Sequence, residues 1–307
     1  MKLRSHKILL VGITTFTILL SSGYWYVFIA GAPQLDPPQV ENNTGLTFQI
    51  ETFNSKAMGS VREYGLILPP DYQKNPQKRY PVIFLLHGGH GDARAYQNKA
   101  AVTSVLHDLY QSRQLPYAIV VTPDGNDQRG TSPFWDSDYY DGANGKVGTL
   151  IGSELVAVIK SRYRTLNAPQ FWAIGGQSSG GWGAFNIGLR HLNNFNILFS
   201  SSGYFTDSSG AENSPQIFIK DIPTAQKKRL RIYLDAGEQD KEFLTSTQKF
   251  HQTLNQFKIA NEFHAFPGGH GIVGADSGWN YWHKHLYDQL SYVGKQFQIA
   301  WKTGRKA

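Results

Sequence analysis

The chain has 307 residues, a formal net charge of +7 and no cysteine. The lack of cysteine excludes a thiol nucleophile and disulfide bonds, and it argues against a structural zinc site. The excess positive charge lies at the two ends and leaves the body close to neutral, which argues against a nucleic-acid-binding face on the body. The basic residues concerned are Lys2, Arg4 and Lys7 at the start and Lys295, Lys302, Arg305 and Lys306 at the end.

An uncharged, mostly apolar segment, residues 8–30, follows the first basic residues. As a helix it would be about 34 Å long, which is enough to cross a hydrocarbon core of about 30 Å. Because flanking basic residues stay in the cytoplasm, we predict that residues 1–32 form a single-pass membrane anchor and that the body lies outside the cytoplasm. A cleaved signal peptide, favoured by the small residues Ala30-Gly31-Ala32, is the alternative and would give a secreted or periplasmic protein. A buried core helix is the third interpretation.

The body follows residues 33–43, a segment rich in proline and polar residues that predicts a linker. Two alternating segments, 46–53 and 61–68, predict a β-hairpin at the edge of a sheet. Further strands are predicted at 80–86, 117–121, 171–174, 196–200, 230–234 and 261–266, and helices at 100–110, 147–164, 182–189, 243–257 and 279–290. This alternation predicts one α/β domain over residues 44–307, with a mostly parallel sheet covered by helices on both faces.

A Gly-x-Ser-x-Gly motif lies at residues 176–180, between a predicted strand and a predicted helix. Strand, tight turn and helix in this order are the pattern of a nucleophile elbow, with Ser178 as the candidate nucleophile. Gly176 and Gly180 remove Cβ atoms that would collide with neighbouring backbone. The backbone N–H of Ser179, at the start of the helix, is a candidate oxyanion donor. A glycine-rich helix start with a capping serine is the alternative interpretation.

An elbow serine needs a general base, which is expected on a loop late in the chain. His270 follows the last predicted strand, in the glycine-rich turn 267–271, and is the candidate base. His264 falls within that strand and is interpreted as structural. His283 and His285 fall on the last predicted helix, where a solvated face is the interpretation, and without a His-Glu-x-x-His motif they give little support for a metal site.

The acid of such a triad is expected between the serine and the histidine, in the loop after the strand at 230–234. We predict Asp240, with Glu238 as the alternative, because Asp235 lies too close to the strand end to reach over to the histidine. The acid would hold the imidazole in the correct tautomer and stabilise its positive form. A solvated loop carboxylate is the alternative for each.

The second oxyanion donor is expected in the loop after the strand that ends at residue 86. We predict the backbone N–H of Gly89, with His90 as the alternative, while an ordinary glycine turn remains the simpler interpretation.

Two connections are longer than is usual in a compact domain, residues 126–148 and 203–224, and such loops are often functional or mobile. The first is aromatic and acidic, so its side chains are candidates for binding a sugar or an aryl group, although a packed loop explains them equally well. The candidate substrate-binding residues are Trp135, Asp136, Tyr139 and Tyr140, together with Gln177 of the elbow.

Five motifs together resemble the esterase D-like putative esterase family, over residues 46–290. They are Leu-Leu-His-Gly-Gly-His-Gly-Asp at 85–92, Pro-Asp-Gly-Asn at 123–126, Gly-Gly-Gln-Ser-Ser-Gly-Gly at 175–181, Asp-Ala-Gly-Glu-Gln-Asp at 235–240 and Pro-Gly-Gly-His at 267–270. This family groups feruloyl and acetyl-xylan esterases, S-formylglutathione hydrolases and the antigen 85 mycolyltransferases. The resemblance implies an α/β-hydrolase fold, Ser178, Asp240 and His270 as the triad, and Gly89 and Ser179 as oxyanion donors.

We therefore predict a serine ester hydrolase that acts through an acyl-enzyme, needs no cofactor and uses a small-molecule or carbohydrate ester. An acyltransferase of the antigen 85 type is the first alternative, and a non-catalytic binding module on a hydrolase scaffold is the second.

Overall fold

The computed structural model of the protein describes residues 2–25, 38, 44–132, 134–271 and 274–304. A central sheet organises its body. Its eight strands have the order β1-β2-β4-β3-β5-β6-β7-β8. The strands are β1 (Phe48–Ser55), β2 (Ser60–Ile67), β3 (Val82–Leu86), β4 (Ile119–Pro123), β5 (Trp172–Gln177), β6 (Ile197–Ser201), β7 (Arg231–Gly237) and β8 (Asn261–Phe266).

Strands β1 and β2 form the predicted edge hairpin, in which Phe48 pairs with Ile67 and Ser55 with Ser60. Strand β2 pairs antiparallel with β4, and all the remaining neighbours, from β4 to β8, are parallel. The prediction of a mostly parallel sheet is therefore confirmed. Because the carboxyl ends of parallel strands share one edge, the loops after β3, β5, β6, β7 and β8 meet there.

The core lies on both faces of this sheet. All five residues of β3 are buried, and since successive side chains of a strand point to opposite faces, both faces must be covered. Among the described residues the helices are α1 (Lys2–Tyr24), α2 (Ala95–Ala100), α3 (Val102–Gln111), α4 (Val147–Thr149), α5 (Val156–Arg162), α6 (Ser179–Gly188), α7 (Pro215–Phe218), α8 (Thr224–Lys227), α9 (Lys241–Gln256) and α10 (Trp279–Gly304).

Helices α2, α7 and α8 were not predicted, and two of the predicted helices differ in extent. The predicted helix at 147–164 is α4 and α5 joined by a π-helical turn, Leu150–Leu155. Helix α10 continues 14 residues beyond the predicted end at residue 290, because its later turns also bury apolar side chains. Leu286, Leu290, Val293 and Phe297 of this helix recur at a helical spacing and all lie in the core.

The membrane anchor that the sequence predicted is not supported. Within the part of the chain that the structure describes, no helix is long and apolar enough to cross a membrane. Helix α1 begins at Lys2, so it includes three basic residues, and Thr14, Thr15 and Thr17 donate hydrogen bonds to carbonyl groups within it. Residues 26–30 of the predicted span and all of the predicted linker except Pro38 lie outside the described residues.

Candidate active site

Ser178 lies at the sharp turn between β5 and α6. Its backbone has φ 53° and ψ −126°, a conformation that a residue with a side chain rarely adopts. Its N–H donates a hydrogen bond to the carbonyl of Ser201 at the end of β6, at 2.9 Å, which fixes the turn to the sheet.

The two glycines of the motif are required by close approach of the backbone. A Cβ atom on Gly176 would lie 2.5 Å from the Leu86 carbonyl oxygen, and one on Gly180 would lie 2.2 Å from that oxygen and 2.3 Å from the His87 carbonyl oxygen. Such contacts are far inside van der Waals distance, so a side chain at either position would displace β3 or the turn itself. The motif thus folds as the pattern predicts.

His270 reaches Ser178 from the loop after β8. Its Nε2 atom lies 3.0 Å from the Ser178 hydroxyl oxygen. The imidazole is held between two aromatic rings, because Phe243 stacks on it at 4.4 Å between centroids and Trp282 meets it edge-on at 5.0 Å. Gly269, at φ 138°, lets the loop pass close to Asp240, since a Cβ atom there would lie 2.4 Å from the carboxyl carbon.

Asp240 receives hydrogen bonds from both the ring and the backbone of His270. Nδ1 donates to Oδ2 at 2.7 Å, and the backbone N–H lies 2.7 Å from Oδ1 and 2.9 Å from Oδ2. The Ser202 hydroxyl donates to the same Oδ2 at 3.0 Å. Burial alone would raise the pKa of Asp240, but the hydrogen bonds and the charge of His270 outweigh it, so that the pKa lies below its usual value. An ionised Asp240 only accepts, so the imidazole proton stays on Nδ1 and leaves Nε2 free to accept the Ser178 proton.

The other two acidic candidates do not contact His270. Asp235 lies within β7 and is fully buried, with its carboxylate bound by the side chains of Ser201, Tyr281 and Gln289. Glu238 is exposed. The structure therefore brings together Ser178, His270 and Asp240, the three predicted triad residues.

Two backbone N–H groups lie beside Ser178 without an acceptor among the described residues, those of Gly89 and Ser179. The loop of Gly89 runs against the elbow, since a Cβ atom on Gly88 would lie 3.4 Å from that of Ser178. The sequence predicted both N–H groups as oxyanion donors. His90, the alternative to Gly89, adopts φ 61°, and its Nδ1 atom lies 2.5 Å from the Ser132 carbonyl oxygen.

His87, which the sequence reasoning passed over, fixes the loop that carries Gly89. The Gly125 N–H donates to Nε2 at 3.0 Å, so the ring proton is on Nδ1 and is donated to the Gly88 carbonyl at 2.8 Å. Because the next peptide is trans, the Gly89 N–H points away from His87. Burial lowers the pKa of His87 and keeps the ring neutral. Its place directly after a buried strand, before two glycines, is the signal that could have identified it.

The other histidines are held away from Ser178. His264 is exposed on β8 and stacks on Tyr233, and His283 interacts with the Ala100 carbonyl. His285 was expected on a solvated face, but it is buried and stacks on Phe266 at 3.9 Å between centroids. No group of three or more potential metal ligands occurs in the described ranges.

The candidate substrate-binding residues separate into packed and accessible side chains. Tyr139 is fully buried and donates a hydrogen bond to the His87 carbonyl, which argues against the predicted contact with substrate. It inserts between Gly125 and Gly183, where a Cβ atom would lie 2.2 and 2.3 Å from its ring. Gln177 is also buried, at 2% exposure, and its amide nitrogen has no partner in the described part of the chain.

The remaining candidates lie nearer the surface. Tyr140 packs edge-on against Trp182, and Trp135 lies under the guanidinium of Arg129. Asp136 is the candidate that lies beside a predicted oxyanion donor. A Cβ atom on Gly89 would be 1.9 Å from Asp136 Oδ1, and the carboxylate side chain is 54% exposed.

The strand order and the elbow define an α/β-hydrolase, as predicted. Residues 55–293 match the family model described as putative esterase, so the chain belongs to that family. Its membership confirms the predicted resemblance to a family of esterases.

Several solved structures share the fold. A ferulic acid esterase is 26% identical, with a TM-score of 0.73 over 82% of this chain and 98% of its own. The S-formylglutathione hydrolase of Staphylococcus aureus is 16% identical, with a TM-score of 0.63 over 81% and 98%. The enterobactin esterase of Shigella flexneri is 21% identical, with a TM-score of 0.65 over 85% and 62%.

A curated relative, an uncharacterised protein of Corynebacterium glutamicum, is 21% identical over 286 residues, which are 86% of this chain. The chain spans only 64% of the length of that relative.

Proposed function

We propose that the chain hydrolyses carboxylic esters with Ser178 as nucleophile, His270 as general base and Asp240 as the acid that orients the histidine. The observation that carries this proposal is the continuous hydrogen-bonded path from Asp240 Oδ2 to His270 Nδ1, at 2.7 Å, and from His270 Nε2 to Ser178 Oγ, at 3.0 Å. These separations are within the range over which a proton is transferred directly.

The reaction follows from this path. His270 Nε2 takes the proton of Ser178 as the hydroxyl oxygen attacks the ester carbonyl, and the resulting oxyanion accepts hydrogen bonds from the N–H groups of Gly89 and Ser179. The imidazolium then gives its proton to the leaving alcohol, and the acyl group stays on the serine. His270 then takes a proton from a water molecule that attacks the acyl-enzyme, and the acid is released as the proton returns to Ser178. These steps require no cofactor.

Substitution of the nucleophile tests the proposal. Ser178→Ala should lower kcat for p-nitrophenyl acetate by roughly 10⁶-fold, and a fluorophosphonate should label the native protein but not the variant. Ser161→Ala, which removes an exposed hydroxyl on α5, should keep both the rate and the labelling. A Ser178→Ala variant that hydrolyses the ester at a near-native rate would rule out the triad, and a native protein that is not labelled would favour the binding module.

The substrate that we propose carries hydroxyl groups near the ester, as an acylated sugar or a hydroxylated aryl ester does. Asp136 supports this because its half-exposed carboxylate lies beside Gly89, where it can accept hydrogen bonds from hydroxyl groups and would repel an anionic substrate. Similarity to a protein named ferulic acid esterase supports an aryl ester.

A pair of variants tests the part of Asp136. Asp136→Asn should lower kcat/KM for an acetylated sugar by about 10-fold, the usual effect of losing a hydrogen bond to a charged group, and leave p-nitrophenyl acetate unaffected. Asp138→Asn, two residues from Asp136, removes one of the two carboxylates that bind Arg129; it is the matched control and should alter neither rate. Equal losses on both substrates would contradict a role in substrate choice. Adding sugar acceptors to the same assay would reveal acyl transfer if it occurs.

We also propose that the body acts outside the cytoplasm, after cleavage of a signal peptide behind residue 32. The basic residues before an apolar segment and the small residues Ala30-Gly31-Ala32 support this. The exported protein should begin at Pro33 by intact mass. A full-length chain in the cytoplasmic fraction would contradict it.

A further inference from the structure

Ser202 is a buried serine that lies directly after β6 and contacts the carboxylate of Asp240. It has no exposed surface, and its φ of 45° is in the left-handed region that favours glycine. Its N–H donates to the backbone carbonyl of Asp235 at 2.8 Å. Its hydroxyl oxygen accepts the N–H of Gly237 at 3.3 Å and lies 3.0 Å from Asp240 Oδ2.

The direction of the Ser202 proton follows from its neighbours. The Gly237 N–H is a donor, so the hydroxyl cannot donate to it. Tyr281 also interacts with Ser202, but the phenol gives its own proton to Asp235 Oδ1 at 3.0 Å. Asp240 Oδ2 is the charged acceptor in reach and therefore the stronger one, so the Ser202 proton is donated there.

Asp240 Oδ2 is the same oxygen that accepts the ring proton of His270. The backbone N–H of His270 ties the carboxylate to the loop after β8, and the Ser202 hydroxyl adds a donor at the end of β6 that ties the same oxygen to the sheet. We propose that Ser202 is a positioning residue, which fixes the carboxylate of Asp240 against the imidazole of His270. This inference rests on the proposed function, because it requires Asp240 to act as the triad acid.

The backbone of Ser202 supports a role for its hydroxyl group. A residue with a side chain pays a free-energy penalty in the left-handed region that glycine does not. A position that needed only this backbone conformation would be served better by glycine. A serine here retains the free-energy cost of the left-handed conformation but supplies a hydrogen-bond donor that glycine lacks.

Two substitutions separate the hydroxyl from the backbone. Ser202→Ala removes the hydroxyl and keeps the penalty, whereas Ser202→Gly removes both. Both variants should lower kcat for p-nitrophenyl acetate by about 10-fold with little change in KM, while the glycine variant should unfold at a higher temperature than the alanine variant. If Ser202 were merely structural, the glycine variant would keep native kcat.

The pH profile gives a readout that a structural role would not move. Without the Ser202 donor, more of the negative charge of Asp240 acts on His270, so the imidazole should become more basic. Because the rate needs neutral His270, the acid limb of kcat/KM should move to higher pH by roughly half a unit in both variants.

Ser201→Ala is the matched control, because this neighbouring buried hydroxyl donates to Asp235 at 2.7 Å rather than to Asp240. It should lower the unfolding temperature and leave kcat and the acid limb unchanged. Native kcat and an unmoved acid limb in Ser202→Gly would overturn the inference. Ser178→Ala, assayed beside Ser202→Gly, separates the two failures. If Ser202→Gly has native kcat and Ser178→Ala is inactive, only the positioning role of Ser202 is wrong. If Ser178→Ala is also active, the proposed function itself is wrong.

Discussion

Asp235 and Asp240 are five residues apart at the end of β7, and their carboxyl groups behave in opposite ways. Both are buried. The carboxylate of Asp235 accepts hydrogen bonds from three residues, and that of Asp240 accepts them from two. Burial raises the pKa of Asp235 to about 6, because the donors around it only partly offset the loss of solvent. The pKa of Asp240 lies below its usual value, because the hydrogen bonds and charge of His270 outweigh burial.

The difference lies in the chemistry of the partners. The hydrogen-bond donors of Asp235, on Ser201, Tyr281 and Gln289, are neutral and the imidazole of His285 acts on it only through its charge, whereas Asp240 is hydrogen-bonded directly to an imidazole that can become positive. Neutral hydrogen bonds satisfy a buried carboxylate but do not restore the stabilisation of its charge by water. A carboxylate beside a potential cation is suited to a triad, and one among neutral donors is suited to joining β6, β7 and α10.

The two groups should also affect stability with opposite signs. The pKa of Asp240 in the folded state is below the value of about 3.8 for the unfolded chain, so its stabilisation is present above that pH and is lost as the pH falls through the folded pKa. The folded pKa of Asp235 is above the unfolded value, so its stabilisation is present below pH 3.8 and is lost as the pH rises through about 6.

Of the changes that test this comparison of the two carboxylates, Asp240→Asn should have the largest effect. The amide would no longer hold the imidazole in the tautomer that accepts the Ser178 proton, so kcat should fall by about 10⁴-fold while the protein stays folded. Steady-state kinetics with p-nitrophenyl acetate, together with a thermal melt, measures both. Glu238→Gln, two residues away and exposed, should retain the native rate. A loss below tenfold in Asp240→Asn would remove Asp240 from the triad.

Asp235→Asn should change stability instead of activity. As the pH rises from 4 to 7, the unfolding free energy of the native protein should fall by up to about 3 kcal/mol more than that of the variant. The reason is that the pKa of Asp235 is about two units higher in the folded than in the unfolded state, so its ionisation favours the unfolded state. Denaturant unfolding at a series of pH values measures the difference. A variant with the pH dependence of the native protein would place the ionisation elsewhere, and a kcat reduced by more than tenfold would contradict a structural role.

The smallest effect is expected for Gln289→Leu, which leaves Asp235 Oδ2 without its donor at 3.0 Å. Loss of a hydrogen bond to this group should lower the unfolding free energy at pH 7 by about 1–3 kcal/mol and move the ionisation of Asp235 to higher pH. Gln298→Leu changes an exposed side chain of the same helix and serves as the control. If the ionisation does not move in Gln289→Leu, this hydrogen bond does not stabilise the carboxylate.

The elbow and the positions of the buried strands could be predicted because their causes are local. Gly176 and Gly180 are dictated by backbone contacts within one strand-turn-helix unit, and the buried strands are visible as apolar runs. The choice of Asp240 over Asp235 needed only the position of the strand end. Family membership supports the fold, whereas the roles of the three triad residues stay predictions.

Tyr139 and Ser202 could not be placed from the sequence, because their surroundings come from distant segments. Tyr139 fills a space left by Gly125 and Gly183, which are separated from it by 14 and 44 residues. Ser202 ends a run of three serines in which only the first two belong to β6, so the alternation of the strand does not extend to it. In both cases the relevant residue is a glycine or a serine, and its role depends on which distant segment packs against it.

The contact between Gly180 and the carbonyl groups of Leu86 and His87 has an evolutionary consequence. The nucleophile and the loop that carries Gly89 are aligned chiefly by contact between backbone atoms, to which Tyr139 of loop 126–148 adds a hydrogen bond to the His87 carbonyl. Exposed residues of segment 126–148, such as Asp136, can therefore change to suit a new ester without realigning the reacting groups, as long as Tyr139 is kept. A scaffold built in this way can keep its catalytic chemistry while its substrate changes.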